Sequence, residues 1–158
     1  MLYWLLKRVL VGPALRTVFR PTVEGLEHIP DAGPAILAIN HLSYSDWLFV
    51  PLVVERRVTF VAKSEYFTTP GVKGRLQKGF FSGTGQVPID RTSGSAAAGA
   101  LATGKRILAA GELFGIFPEG TRSPDGRLYK GKTGIARLAL ESGVPVIPVA
   151  VMDTDTVA

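Results

Sequence analysis
The chain has 158 residues, enough for one domain with a buried core. It has no cysteine, which excludes disulfides, a thiol nucleophile and thiolate metal sites, and its two histidines, His28 and His41, argue against a histidine-rich metal site. A net charge of +5 suits an anionic partner: membrane lipid, a phosphorylated substrate, coenzyme A or nucleic acid.

The chain opens with Leu2-Tyr3-Trp4-Leu5-Leu6, then Lys7 and Arg8, with Arg16 and Arg20 before the first acid, Glu24. This run is shorter than the ~20 apolar residues of a membrane span. Its charges follow the apolar stretch, the reverse of a signal peptide. Trp4 and Tyr3 beside cations instead read as an interfacial anchor over residues 1–21, with a helix packed on the domain as the alternative. Next, residues 34–40 read as a buried strand and residues 46–54 as a helix capped by Ser43 or Ser45. Residues 58–62 form a second strand, followed by helical pieces at 64–68 and 72–81. Residues 86–89 are a short strand whose Pro88 places it at an edge or a strand end. An alanine-rich helix covers 95–110 with Gly111 as its C-cap. Residues 113–117 are a strand, 118–129 a polar loop, 134–142 a helix ended by Gly143, and 146–152 a final buried strand. Alternating strands and helices with continuous apolar strands predict an α/β domain over 22–158, its sheet mixed and at least partly parallel.

Two motifs carry chemistry. Asn40-His41-Leu42-Ser43-Tyr44-Ser45-Asp46 lies where a strand ends and a helix begins, a favoured ligand position in open α/β sheets. Residues five apart on one helix point about 140° from each other. The pair meets only if His41 sits in the turn and Asp46 in the first helical turn. Asp46 then accepts the Nδ1 proton and leaves Nε2 as a base for a hydroxyl. Taken alone, the spacing is more often a structural histidine beside an acid that favours a helix N-terminus. The second motif, Phe117-Pro118-Glu119-Gly120-Thr121-Arg122-Ser123, also follows a strand. Gly120 lets main-chain N–H groups approach an anion, and Arg122 offers a fork matched to phosphate. An ordinary solvated turn is the alternative. No Gly-x-Ser-x-Gly elbow is present, and Ser43 and Ser45 read as caps. This favours direct attack by an acceptor hydroxyl on an activated acyl group.

Gly126-Arg127-Leu128-Tyr129-Lys130-Gly131-Lys132-Thr133 satisfies the P-loop pattern. A P-loop follows its strand directly, whereas Pro118 to Asp125 intervene here. Nucleotide binding is therefore a remote alternative, though Lys130 and Lys132 are available to a phosphate.

From Val23 to Val151 the chain resembles the 1-acylglycerol-3-phosphate acyltransferase family of the glycerolipid acyltransferase superfamily. Four blocks match in order: Asn40-His41-x4-Asp46; Gly85-Gln86-Val87-Pro88-Ile89-Asp90-Arg91; Phe117 to Ser123; and Val144-Pro145-Val146-Ile147-Pro148-Val149. The Val23-Glu24-Gly25-Leu26-Glu27 lead-in is also similar. Pro88 departs from the pattern, which more usually has an aromatic or aliphatic residue there. Members continue for several tens of residues past the fourth block, so the resemblance implies a C-terminally truncated chain.

The resemblance implies a glycerolipid acyltransferase-like fold and transfer of a fatty acyl chain from acyl-CoA or acyl-carrier protein to the 2-hydroxyl of lysophosphatidic acid, giving phosphatidic acid. His41 and Asp46 would be catalytic. Lys63, Arg91, Glu119, Gly120, Thr121 and Arg122 would bind the acceptor. No metal, cofactor or nucleic acid is implied. The protein would sit peripherally on the cytoplasmic face of a membrane. The same chemistry on glycerol 3-phosphate, a lysophospholipid or a glycolipid is the alternative, and a non-catalytic lipid-surface module is a remoter one.

Overall fold
The computed structural model describes residues 2–89 and 96–157. Its centre is a five-stranded sheet in the order β3-β2-β4-β1-β5. The strands are β1 (Ala35–Ile39), β2 (Val58–Ala62), β3 (Gln86–Pro88), β4 (Leu113–Ile116) and β5 (Val146–Val149). All four pairings are parallel. The sheet is therefore more uniform than the mixed one expected, and no described strand runs antiparallel. Each crossover runs through helix: α3 (Asp46–Val53), α4 (Glu65–Thr68), α5 (Gly71–Gly83), α6 (Ala96–Ala109) and α7 (Gly134–Ser142). Parallel strands require such connections.

The strand periodicity of two sorts β1 onto both faces. Ala35, Leu37 and Ile39 join Val50, Val54, Val58, Phe60 and Leu113 in one apolar cluster. Ile36 joins Ile107, Leu108, Phe114 and Leu138 in the other. Burying each large apolar side chain contributes roughly 1.5–3 kcal/mol. Gly115 on β4 has no room for a larger residue, because a Cβ there would lie 2.4 Å from the Phe60 ring. The fourth block departs from the expected buried strand. β5 is an edge strand with β1 as its described partner, Val146 and Pro148 are exposed, and pairing stops at Val149.

The N-terminal segment is helical throughout, as α1 (Leu2–Leu5), a π-helical turn (Leu6–Leu10) and α2 (Val11–Phe19). The π turn sits just before Gly12-Pro13, where the proline nitrogen cannot donate to the helical ladder. No described helix is long and apolar enough to cross a membrane. Two of the four cations expected to face lipid are committed to the domain. Lys7 Nζ donates to the Val54 carbonyl, and Arg16 Nη2 donates to the Leu52 carbonyl at 3.0 Å. These carbonyls end α3, where orphan acceptors and the helix dipole favour cations. Tyr3 is buried, and its hydroxyl accepts the Val58 N–H at 3.4 Å. The segment thus packs on the domain while leaving Leu2, Leu5, Val9, Leu10, Arg8 and Arg20 at the surface.

Burial pushes the Lys7 amine from 10.5 down to about 8, with Glu55 opposing the shift. In the window between these values the unfolded chain holds a proton that the folded chain has released. Stability therefore rises with pH there. Thermal melts from pH 8 to 9.5 will show this rise in the wild type and a flatter profile in Lys7→Met. Equal slopes in the two proteins would remove Lys7 as the cause.

Candidate active site
All five strands point their carboxyl ends to one edge of the sheet, and both motifs start there. β1 ends at Ile39, and Asn40 locks the exit. Its side-chain amide donates to the Val151 carbonyl at 2.8 Å, and its oxygen accepts the Val151 N–H at 2.6 Å. This clamp ties β1 to the chain beyond β5.

His41 follows in the turn, and Asp46 is the first residue of α3. This is the arrangement that lets residues five apart meet. His41 Nδ1 lies 2.8 Å from Asp46 Oδ2. The same oxygen accepts the N–H groups of Leu42 at 2.7 Å and Ser43 at 2.9 Å. The Thr154 hydroxyl donates to Oδ1 at 2.5 Å. Asp46 is fully buried. Burial alone would raise its pKa, but the hydrogen bonds from His41, Thr154, Ser43 and Leu42 outweigh it and hold the carboxyl below its ordinary value. An ionised Asp46 is an acceptor only, so Nδ1 carries the proton and Nε2 has a free lone pair. The imidazole, 17 % exposed, stacks on the Phe117 ring at 3.9 Å, which in turn stacks on Phe60 at 5.6 Å.

Neither serine caps α3 with its side chain. Ser43 Oγ accepts both the N–H and the hydroxyl of Ser45, at 3.3 and 3.1 Å. The first N–H groups of α3 are taken by main chain instead, the Asp46 N–H donating to the Ser43 carbonyl at 3.4 Å and the Leu48 N–H to the Ser45 carbonyl at 2.8 Å, while the Asp46 carboxylate orders the turn before the helix. No hydrogen bond joins either hydroxyl to His41 among the described contacts, so the turn supplies no activated serine.

The second motif grips the first. Phe117 follows β4, and Glu119 is buried with both oxygens used by main chain. Oε1 accepts the His41 N–H at 3.1 Å, and Oε2 accepts the Tyr129 N–H at 3.0 Å. The Ser123 N–H donates to the His41 carbonyl at 2.7 Å. His41 is therefore held at N–H, carbonyl and ring by residues 117–123. This geometry makes Glu119 a brace for His41 rather than a group facing an acceptor. Gly120 has φ +73°, a conformation that favours glycine. The Lys132 side chain lies over it, its Nζ 2.9 Å from where a Cβ would stand. Thr121 is exposed at the same turn. The Arg122 guanidinium lies over the Tyr44 ring at 3.4 Å, which sets it above the loop between His41 and Asp46.

Lys63 is exposed at the end of β2, on the same edge. Strand β4 separates it from the His41 exit, about 10 Å away at ordinary strand spacing. Arg91 lies outside the described residues, three positions past the end of β3. The structure thus brings His41, Asp46, Glu119, Gly120, Thr121 and Arg122 together, and adds Thr154, Tyr44, Phe117 and Lys132. Tyr44 carries a signal only as an aromatic inside the histidine motif, since Arg122 is 78 positions away in the sequence. Thr154 carries none, being 108 residues from Asp46.

The family model described as Acyltransferase matches residues 20–152. A chloroplastic 1-acyl-sn-glycerol-3-phosphate acyltransferase of Arabidopsis thaliana is 32% identical over 86% of the chain, which spans 37% of that protein. A 1-acyl-sn-glycerol-3-phosphate acyltransferase of Limnanthes alba is 35% identical over 84% of the chain and 45% of its own length. The crystal structure of the 1-acyl-sn-glycerophosphate (LPA) acyltransferase PlsC from Thermotoga maritima aligns with TM-score 0.66 and 31% identity, over 91% of the chain and 55% of that protein. The chain thus spans about half or less of the length of the relatives it matches.

Proposed function
Because the chain belongs to the acyltransferase family, we propose that it moves a fatty acyl group from a thioester donor, acyl-CoA or acyl-carrier protein, to the 2-hydroxyl of lysophosphatidic acid, giving phosphatidic acid. The observation that carries this reading is the buried Asp46 holding His41 by Nδ1, beside a turn bearing Gly120 and Arg122. Nε2 takes the hydroxyl proton as the acceptor oxygen attacks the thioester carbonyl carbon. The tetrahedral oxyanion collapses and the carbon–sulfur bond breaks. The leaving thiolate takes the proton from the imidazolium, and the ionised Asp46 stabilises that imidazolium meanwhile. Arg122, Lys132 and the Gly120 main chain hold the acceptor phosphate, with Lys63 as a further cation at this edge and Arg91 proposed from the sequence alone. The steps need neither a metal nor a resident cofactor.

The acceptor lies in a bilayer, and the reading places the protein peripherally on its cytoplasmic face, docked by residues 1–21. The apolar surface of that segment and Arg8 and Arg20 support this. The test is transfer of labelled acyl groups, from acyl-CoA and acyl-carrier protein in parallel, to a panel of lysophosphatidic acid, glycerol 3-phosphate and uncharged lysolipids. Product with lysophosphatidic acid is expected. Acylation of an acceptor without a phosphate, and not of lysophosphatidic acid, would overturn the assignment.

Arg122→Ala should raise the acceptor KM about 10–100-fold with a smaller change in turnover, since a hydrogen bond to a charged group contributes about 1.5–3 kcal/mol. Arg122→Lys should restore it incompletely, because a single ammonium loses the fork and the stacking on Tyr44. Steady-state kinetics with varied acceptor checks this. An unchanged KM would remove Arg122 from the phosphate site.

A further inference from the structure
Helix α5 carries apolar surface that its packing leaves uncovered. Val72, Leu76 and Phe80 recur every four residues, and Val72 and Leu76 are 72% and 71% exposed. The packed side is the opposite one. Gly74 is buried and stands about 200° round the helix from Val72. Phe81 stacks on Tyr66 at 4.5 Å. Lys73 and Arg75 fall on the two flanks of the stripe, Lys78 lies on the far side about 200° round from Leu76, and residues 71–83 contain no acid. The stripe runs towards the N-terminal segment, because Gly83 packs against Leu2 and Leu6. Leu2 and Leu5 are themselves half exposed. Phe80 meets the edge of Trp47, the residue after Asp46, with ring centroids 6.2 Å apart.

We propose that α5 is an interfacial helix that docks on an anionic phospholipid bilayer. Val72 and Leu76 enter the acyl region, and Lys73 and Arg75 on the flanks hold headgroups. An apolar stripe flanked by cations on both sides is the pattern of a helix lying in a membrane interface. The charge argues against a second copy of the chain as the occupant. A symmetric pairing through this face would bring the flanking cations of the two copies together with no acid on the helix to offset them. The proposal assigns a surface that the reading of residues 1–21 leaves unassigned. It rests on the lipid-acceptor reading only for its biological sense, since bilayer contact is measured without turnover.

The chain has no cysteine, so Leu76→Cys gives a single labelling position. An environment-sensitive fluorophore there should shift to the blue and brighten several-fold on vesicles of phosphatidylcholine with phosphatidylglycerol. It should respond far less on phosphatidylcholine alone. The same label at Leu140→Cys, on an 85% exposed position of α7, should not respond. Replacing Lys73 and Arg75 together with Gln should weaken vesicle binding roughly 30-fold at low salt. Activity on a water-soluble short-chain acceptor should be unchanged in that variant. Its loss would indict the fold of the variant, and the Leu76 label would then decide alone. Two results would overturn the proposal. One is a Leu76 label that stays in water on vesicle-bound protein. The other is a blue shift that grows with protein concentration without vesicles, which would assign the stripe to a second copy.

Discussion

His41→Ala will lower acyl-transfer turnover by about 10²–10⁴-fold, the usual loss when a positioned general base is removed. The fold should survive. The imidazole is part-exposed, and Phe117 keeps its stacking contact with Phe60 when the imidazole is removed. The main-chain bonds from His41 to Glu119 and Ser123 do not depend on its side chain. Donor binding should change little, so the loss belongs to turnover. Circular dichroism and donor titration alongside the rate measurement separate these effects. A variant with near-normal turnover would show that the Asp46–His41 pair is structural.

Asp46→Asn should cost both activity and stability. One Asp46 oxygen receives three donors and the other receives Thr154. An amide would turn its own NH2 either onto Leu42 and Ser43 or onto Thr154. A buried donor left unsatisfied costs about 1–3 kcal/mol. Each kcal/mol lowers the melting temperature of a domain this size by about 2–4 °C. Turnover should fall because Nδ1 loses its anionic acceptor. The pH dependence has a definite sign. Asp46 has a folded pKa held below its ordinary 3.8, so its contribution is present above that value. The contribution fades as pH falls through the folded pKa. The melting difference between wild type and Asp46→Asn should therefore be full at pH 6 and shrink below about pH 4. Thr154→Val should show a milder version, with Thr154→Ser restoring it. A difference that stays constant down to pH 2 would contradict an ionised Asp46.

The order of elements was legible because burial writes itself into local periodicity. All five strands fall where apolar runs sit between turn residues, and their ends differ from expectation by a few residues at most. The turn at His41 was legible too, since only one placement lets residues 41 and 46 meet. Contacts made across the sequence were not. Nothing near Thr154 marks it as a partner of Asp46. Glu119 reads as a polar member of an anion turn, yet it is buried as a brace for His41. Lys7 and Arg16 read as lipid-facing cations until α3 places its last carbonyls beneath them. Side-chain capping failed for a local reason. The Ser43 hydroxyl is occupied by the N–H and hydroxyl of Ser45, and the first N–H groups of α3 go to the Ser43 and Ser45 carbonyls.

The central claim is direct transfer, with His41 taking the proton from the attacking hydroxyl. A single-turnover experiment with labelled acyl-CoA tests it most directly. Label is followed on the protein and in lipid product, with and without lysophosphatidic acid, in wild type and His41→Ala. The geometry predicts label passing to lipid in the wild type alone, only with acceptor present, and none on the protein. Label accumulating on the protein and then chasing into lipid, or equal product from both proteins, would contradict it.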